Sequence, residues 1–174
     1  MAIPSTEEFL VQVAGLSKQM SNYARRSLFD PKEAEDVLAD VVLAAWSERN
    51  AFQAGSNFKS WMYRILLNKI YATNRRYVLA AKASKRIARE EKRGMESDAT
   101  PNDSEYSDEM KRALARLNEA EREAFLLLSL VGLSYAEISQ VTNAPVTTVI
   151  TRLGRARSKL KACLRGEVGT QKGE

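Results

Sequence analysis

A short acidic stretch divides this chain and constrains its fold more than any other feature. The residues "MESDATPNDSEYSD" at 95–108 combine acidic and small polar side chains with a proline, and they include few apolar groups. Such a composition cannot form a hydrophobic core, so it predicts a flexible linker. A chain of 174 residues is long enough for two small domains. We therefore expect one domain at 1–93, a linker at 94–108 and a second domain at 109–174.

Charge follows the same division. The net charge is +2 over residues 1–77, +4 over 78–93, −6 over 94–110 and +5 over 111–174. Two basic domains on either side of an acidic linker indicate a polyanionic partner, most often nucleic acid.

The composition argues against several kinds of site. Histidine is absent, which removes the commonest general base and the commonest metal ligand. The single cysteine, Cys163, cannot form an internal disulfide. It continues the helical repeat of apolar residues in the last predicted helix, which predicts a buried small hydrophobic residue; that repeat is Val149, Leu153, Ala156, Leu160 and Cys163. No nucleotide-binding loop and no catalytic cluster is visible. We expect no enzyme activity, no catalytic residues, no metal, no cofactor and no small-molecule substrate.

The cellular compartment follows from segments that are missing. The sequence has no run of 18 apolar residues, so no membrane insertion is expected. The start "MAIPSTEEFL" lacks the basic and apolar parts of a signal peptide. The expected location is the cytoplasm.

Hydrophobic periodicity and capping signals predict an all-α fold. Ser5 with Glu8 forms a capping box before the first helix, and Asp30 before Pro31 marks a second helix start. A third helix begins near Phe58 and is expected either to continue through 78–94 or to give way to a new helix there. Four short helices follow the linker. Asn118 with Glu121 and Ser134 with Glu137 form capping boxes at two of their starts, and Asn143 can take the left-handed conformation that ends a short helix.

The second domain contains the layout of a helix-turn-helix motif. In "LSYAEISQVTNAPVTTVITRLGRARSKL" (133–160), a capped helix carries a small residue, Ala136, at the expected helix crossing, and Asn143 marks a tight turn. A second helix then begins with polar residues, the part that enters the major groove in such motifs. The alternative is an amphipathic helical hairpin with a solvated basic face. The candidate base-reading residues are Thr147, Thr148, Thr151, Arg152 and Arg155, and the candidate phosphate contacts are Arg155, Arg157, Lys159 and Lys161.

The stretch "GSNFKSWMYRILLNKIYATNRR" (55–76) mixes aromatic and cationic residues without an acid. At 100° per residue, Phe58 and Trp61 lie on the apolar side and are expected in the core. A polar row that begins at Ser60 lies on another side. Arginine planes and tyrosine rings hold unstacked bases as well as phosphates. The candidate strand-binding residues are Asn50, Phe52, Gln53, Ser56 and Asn57 in the loop, and Arg64, Asn68, Tyr71, Arg75 and Arg76 on the helix.

Three segments carry a resemblance to a known family. They are "YARRSLFDPKEAEDVLADVVLAAW", "FKSWMYRILLNKIYATNRR" and "LNEAEREAFLLLSLVGLSYAEISQVTNAPVTTVITRLGRARSKL". Together they resemble the extracytoplasmic-function (ECF) sigma factors of bacterial RNA polymerase. The resemblance implies a promoter-melting domain, a linker and a helix-turn-helix domain. It implies three partners, namely core RNA polymerase, promoter DNA and an anti-sigma factor, and a role in transcribing a specific regulon such as a stress response.

The same resemblance implies roles for individual surfaces. The helix at 33–46 would dock on the polymerase clamp, with Asp36 and Asp40 at its acidic positions. The loop at 50–57 would take the flipped base of the minus-ten element, the following helix would hold the melted strand, and the helix at 146–161 would read the minus-thirty-five element.

Some residues depart from the family pattern. The family usually has Gln-Glu at Ala39–Asp40, often has glycine at Asn143 and Thr147, and often has a cation at Ile150.

Other functions remain open on the sequence. They are a stand-alone helix-turn-helix regulator, a sigma mimic that sequesters an anti-sigma factor and, least favoured, an RNA-modifying enzyme. A stand-alone regulator leaves 33–76 unexplained, and a mimic has no need of the basic residues.

Overall fold

A computed structural model gives the fold of the chain. It describes residues 5–52, 57–91 and 108–168, with side chains at 5–52, 57–83, 110, 112–163 and 165. These residues form helices and connecting turns and no strand, so the predicted all-α class is confirmed. The chain divides into two compact units, one built from α1–α3 and one from α4–α7. The helices are α1 (Thr6–Ser27), α2 (Ala34–Ser47), α3 (Phe58–Glu91), α4 (Asp108–Ala115), α5 (Glu119–Ser129), α6 (Tyr135–Thr142) and α7 (Val146–Val168).

Local capping signals set the helix starts of the first unit. The Ser5 hydroxyl accepts from the Glu8 amide at 3.2 Å, and the Glu8 carboxylate accepts from the Ser5 amide at 2.8 Å, so the predicted capping box is confirmed. Asp30 accepts from the Lys32 amide at 3.0 Å, but the turn that it caps is a short 3-10 helix, Pro31–Glu33. For that reason α2 begins at Ala34 rather than at Pro31.

An aromatic cluster joins the three helices of the first unit. Phe9 of α1 lies 5.3 Å from Trp46 of α2 and 5.9 Å from Phe58 of α3, measured between ring centroids. Phe52, at the end of a second 3-10 turn (Arg49–Ala51), packs on Phe58 at 5.5 Å and on Trp61 at 5.2 Å. Each such pair contributes about 0.5–1.5 kcal/mol beyond its buried area. Phe58 is a core residue as predicted, whereas Trp61 is only half-buried.

A buried asparagine fixes the connection between α1 and α2. Asn74 of α3 is 7% exposed. Its amide nitrogen donates to the Ser27 carbonyl at 2.9 Å, and its amide oxygen accepts from the Phe29 amide at 3.0 Å. These two bonds satisfy backbone groups left open where α1 ends. They tie the loop that leads into α2 to the middle of α3.

In the second unit, two capping boxes and a left-handed residue shape the helix-turn-helix. Asn118 with Glu121 caps α5, and Ser134 with Glu137 caps α6, as predicted. Asn143 ends α6 at φ 51°, the left-handed conformation expected for it. The turn is closed by Ser139, whose hydroxyl donates to the Ala144 carbonyl at 2.6 Å and whose carbonyl accepts from the Ala144 amide at 3.2 Å.

The core of the second unit corrects one prediction and refines another. Ala136, expected at the helix crossing, is exposed. Ala156 of α7 is fully buried instead, and it packs with Leu114 and Leu117 from the α4 side. Burial of Ile138 and Val141 turns the opposite side of α6, where Ala136 lies, toward solvent. Cys163 packs against the α4–α7 cluster as a partly buried residue.

Candidate nucleic-acid and polymerase interfaces

The exposed side of α3 carries the predicted polar row. Arg64, Asn68, Tyr71 and Arg75 are all exposed, and they define what we call the α3 row. From Arg64 to Arg75 the row extends about 16 Å along the helix at 1.5 Å per residue. The opposite side is buried against α1 and α2 and includes Met62, Leu66 and Ile70.

Ser60 does not belong to this row. It was placed there by helical spacing, but it is 5% exposed, and its hydroxyl has no hydrogen-bond partner among the described residues. Its neighbours Tyr63 and Leu67 are also buried, because α3 packs against two helices and buries more than half of its circumference here. Burial raises the pKa of the Tyr63 hydroxyl, which stays protonated at neutral pH.

The loop before α3 contains residues of different character. Asn50 is exposed, whereas Phe52 is half-buried in the aromatic cluster. Asn57 is exposed, but its side-chain oxygen accepts from the Ser60 amide at 3.1 Å, so this oxygen caps α3. Two further candidates, Gln53 and Ser56, lie outside the described residues.

Arg76 lies beside the α3 row and is already paired. Its guanidinium lies 3.9 Å from the Glu33 carboxylate and donates to the Thr73 hydroxyl at 3.4 Å. The Arg76 side chain is 74% exposed, so this ion pair contributes at most about 1 kcal/mol and yields easily to another anion.

The acidic face of α2 combines two carboxylates with an apolar residue. Asp36 and Asp40 are exposed, and Asp40 pairs with Lys69 of α3 at 3.8 Å. Leu43 lies on the same side of α2 by helical spacing and is 64% exposed. We call Asp36, Asp40 and Leu43 the α2 face. Leu43 is not among the residues predicted from the sequence, although helical spacing puts it opposite Val37 and Val41, which are buried.

The first turns of α7 present the predicted reading residues. Thr147, Thr151 and Arg155 are exposed, whereas Thr148 and Arg152 are half-buried at the edge of the helix that packs on its neighbours. At 100° per residue all five lie within a sector of about 140°, so they share one surface, but Thr148 and Arg152 border the side that buries Val149 and Leu153.

Lys159 was predicted to contact phosphate, but the structure gives it another partner. Its ammonium lies 2.7 Å from the carboxylate of Glu121, whose side chain is 3% exposed. The hydrogen bond from Lys159 lowers the pKa of the Glu121 carboxyl group, as do the backbone bond at Asn118 and the charges of Lys159 and Arg155. Lys159 therefore holds α7 to the start of α5. Arg157 donates to the Tyr135 hydroxyl at 3.2 Å, whereas Lys161 is exposed.

Two negative observations complete the description of these surfaces. Within the described residues, no group of three or more carboxylate or cysteine side chains is placed to hold a metal ion. No helix in residues 5–52, 57–91 and 108–168 has the length and apolar character needed to cross a membrane.

Comparison with protein families gives two matches, one in each unit. The family described as Sigma-70 region 2 matches residues 13–77, and the family described as Sigma-70, region 4 matches residues 107–160. The first match covers α2 and the α3 row, and the second covers the helix-turn-helix and the start of α7. The fold and these matches define a sigma factor of RNA polymerase.

Relatives along most of the chain narrow the class. The ECF RNA polymerase sigma factor EcfG of Rhodopseudomonas palustris is 29% identical over 94% of this chain and 81% of its own length. The RNA polymerase sigma factor NccH of Alcaligenes xylosoxydans xylosoxydans is 31% identical over 81% of this chain and 78% of its own. The chain belongs to the ECF sigma factors, as its sequence segments indicated.

Two solved structures have the same fold. CnrH in complex with the cytosolic domain of CnrY is 28% identical with a TM-score of 0.67, over 93% of this chain and 90% of that one. The sigma factor RpoE of Bartonella quintana, in complex with the anti-sigma factor NepR, is 26% identical with a TM-score of 0.65, over 91% of this chain and 95% of that one. Both relatives were solved with a bound protein partner.

Proposed function

We propose that three surfaces of this ECF sigma factor divide the work of transcription initiation. The α2 face docks on core RNA polymerase. The loop before α3 and the α3 row hold the melted minus-ten strand, and the start of α7 reads the minus-thirty-five element. The protein acts as a specificity subunit rather than an enzyme, in the bacterial cytoplasm where the polymerase works.

One observation supports the strand-binding surface above all. The α3 row exposes two guanidinium groups, an amide and a phenol ring along one side of a helix, and no acidic residue occurs between Arg49 and Arg89. Planar groups of this kind stack on unpaired bases, and cations neutralise phosphates. A row of stacking groups and cations in an acid-free segment suits a separated DNA strand.

The loop before α3 is proposed to take a flipped base. Asn50, Gln53, Ser56 and Asn57 supply hydrogen-bonding groups, and Phe52 connects the loop to the aromatic cluster. Because this cluster is packed on α1 and α2, it gives the loop a rigid base. Arg76 extends the cationic surface once its weak pair with Glu33 opens.

The α2 face is proposed as the polymerase contact because it joins acidic groups to an exposed apolar side chain. Charge pairs that become buried on docking are each worth about 2–5 kcal/mol when one partner is removed. The pair between Asp40 and Lys69 orients one carboxylate before docking. Leu43 adds an apolar contact at the same place.

The docking proposal is tested by reversing charge on this face. Asp36→Arg with Asp40→Arg should weaken binding to core polymerase by at least about 30-fold, which corresponds to about 2 kcal/mol. Fluorescence anisotropy with labelled protein measures this affinity. Glu48→Arg, at an exposed position where α2 ends, is the matched control and should leave the affinity unchanged. Normal binding by the double variant would show that another surface docks.

In α7, substitutions of base-contacting residues and of phosphate-contacting residues should have different effects on DNA binding. Thr147, Thr148, Thr151, Arg152 and Arg155 are proposed to face the bases, and arginine can pair bidentately with guanine. Arg152→Ala should change the preferred upstream sequence. Lys161→Ala should weaken binding to all sequences alike and lower the salt dependence by about one unit of slope.

An anti-sigma factor is proposed as the further partner. The support is that CnrH and the Bartonella RpoE were both solved with bound protein partners, in the second case with a named anti-sigma factor. Such a partner would hold the chain away from core polymerase until it is released.

Run-off transcription tests the whole proposal against its competitors. Core polymerase with this chain should give transcripts from defined start sites in a genomic fragment library, and core polymerase alone should not. DNA binding as a dimer without transcripts would indicate a stand-alone regulator. Neither DNA binding nor transcripts would indicate a sigma mimic.

A further inference from the structure

The exposed start of α7 includes two aliphatic side chains among its threonines. Val146 is 40% exposed and Ile150 is 50% exposed, and Thr147 and Thr151 beside them are exposed as well. At 100° per residue these four side chains lie within a sector of about 140°. Each carries at least one methyl group and none is charged. We call Val146, Thr147, Ile150 and Thr151 the methyl ridge.

One hydroxyl of the methyl ridge is already used inside the helix. The Thr151 hydroxyl donates to the Thr147 carbonyl at 2.9 Å. A threonine hydroxyl has a single proton, so Thr151 offers no donor to a base while this bond is in place. What it still offers outward is its methyl group and an acceptor lone pair. At Thr151 the ridge is therefore better suited to apolar contact than to donating a hydrogen bond.

The surroundings of the ridge indicate DNA as the partner that meets it. Residues 146–165 contain six cations and no acid. Such a helix attracts a polyanion, and the polyanion must also present an apolar group to the ridge. In the major groove the apolar group that a base pair displays is the C5-methyl group of thymine. The cations are Arg152, Arg155, Arg157, Lys159, Lys161 and Arg165.

We propose that Ile150 and Val146 read thymine methyl groups in the upstream promoter element, so that thymine is specified at the base pairs they face. This proposal rests on the proposed function, in which α7 enters the major groove. It gives Ile150 a specificity role at a position where the family often has a cation. A cation there would contact phosphate or guanine, whereas isoleucine selects for the methyl group that distinguishes thymine from every other base.

The test removes only the thymine methyl groups. The full chain with core polymerase first selects its preferred upstream element from a promoter library randomised at that element. Each selected thymine is then replaced by deoxyuridine, and affinity is measured by fluorescence anisotropy. One or two replacements should weaken binding about fourfold each, the factor that corresponds to ~0.8 kcal/mol for a buried methyl group.

Variants assign the effect to the methyl ridge. With Ile150→Ala, the thymine and deoxyuridine duplexes should bind equally well at the affected position, because the methyl group has lost its partner. Leu10→Ala is the matched control, since Leu10 is an aliphatic residue of α1 that is 55% exposed, and it should keep the fourfold difference. Thermal unfolding checks that both variants are folded.

Two results would overturn the proposal. One is a selected element without thymine on either strand, and the other is unchanged affinity for every deoxyuridine duplex. In either case Arg152→Ala separates this failure from that of the proposed function. If Arg152→Ala still shifts the selected sequence, α7 reads DNA without using the ridge. If Arg152→Ala selects the same sequence as the wild type, α7 does not read the upstream element.

Discussion

The long helices α3 and α7 both bury one side and expose cations on the other, but they expose different chemistry. The α3 row consists of planar groups, two arginines, an asparagine and a tyrosine, whereas the start of α7 exposes threonine, valine and isoleucine. Planar groups gain most from bases that have left the duplex. Methyl and hydroxyl groups fit the edges of paired bases in the major groove. This difference supports the proposal that α3 acts on a separated strand and α7 on a duplex.

The start of α3 is held differently from α7, although Asn74 in the middle of α3 also makes polar bonds. The start of α3 packs on aromatic rings from α1 and from the loop before α3, and the α1 ring, Phe9, also packs on Trp46 of α2. Besides apolar packing, α7 is held by an ion pair from Lys159 to Glu121 and by the hydrogen-bonded turn at Ser139 and Ala144 that precedes it. Polar bonds have strict geometry, so they are suited to fixing the position of α7, as the proposed reading role requires.

The largest expected effect comes from the aromatic cluster. Phe58→Ala should lower the free energy of unfolding of the α1–α3 unit by about 3–5 kcal/mol, because it removes a buried ring from three ring contacts. Trp61→Ala should cost only about 1–2 kcal/mol, since that ring is half-buried. Urea denaturation measures both. Equal losses would mean that Trp61 is as much a core residue as Phe58.

The ion pair of the second unit should have the next largest effect. Glu121→Gln should destabilise the α4–α7 unit by about 1–2 kcal/mol at pH 7, because it weakens a charged hydrogen bond to a half-exposed lysine. Thermal unfolding measures the loss. Glu119→Gln, in the same first turn of α5 but exposed, is the matched control and should change stability little.

This ion pair also predicts a pH dependence with a definite sign. The folded-state pKa of Glu121 lies below its ordinary value of 4.5, so the native carboxylate binds protons less readily than the unfolded one. Its stabilisation is fully present above about pH 4.5 and disappears as the pH falls through the lower folded value. The difference between wild type and Glu121→Gln should therefore be constant near neutrality and shrink in acid. A difference that grows in acid would contradict this assignment.

A smaller effect separates two roles of Asn57. Asn57→Ala removes the cap of α3 and should cost about 1 kcal/mol of stability. Asn57→Ser keeps a capping oxygen but not the amide, so it should unfold like wild type. If Asn57 also contacts the flipped base, both variants should impair promoter opening. Normal opening by Asn57→Ser would restrict Asn57 to capping.

The smallest effect should be a gain in stability. Gly154 lies within α7 and is exposed, and apart from its chain neighbours and the nearby backbone of α7, no described atom lies within 4 Å of the place where a Cβ would be. Gly154→Ala should therefore stabilise α7 by about 0.5–1 kcal/mol in thermal unfolding. If this side of α7 lies close to DNA, the same variant should bind the promoter more weakly. Stronger or equal binding would place the groove farther from Gly154.

The sequence predicts local features of this fold well and long-range ones poorly. The capping boxes at Ser5, Asn118 and Ser134 were predictable because each joins residues three positions apart. The bonds from Asn74 to Ser27 and Phe29 cross 47 and 45 residues, and the bond from Lys159 to Glu121 crosses 38. Such partners are set by how helices pack, which no local pattern specifies.

The same reason explains errors at the candidate sites. Helical spacing placed Ser60 in an exposed row and Ala136 at a helix crossing, whereas packing buries the first and exposes the second. Spacing fixes the angle of a residue around its own helix, but not how much of that helix its neighbours cover. The α3 row itself was predictable because its residues lie near the centre of the uncovered side.

Permanganate footprinting of unpaired thymines, combined with measurement of initial promoter binding, tests the division between the two helices most directly. Polymerase carrying Arg64→Ala should bind the closed promoter normally and open it about 5- to 150-fold less, the range for a lost base contact of about 1–3 kcal/mol. Arg152→Ala should weaken initial binding and leave the opening of bound promoters unchanged, and Lys18→Ala on α1 should alter neither step. Normal opening by Arg64→Ala, or an opening defect in Arg152→Ala with normal binding, would contradict the account.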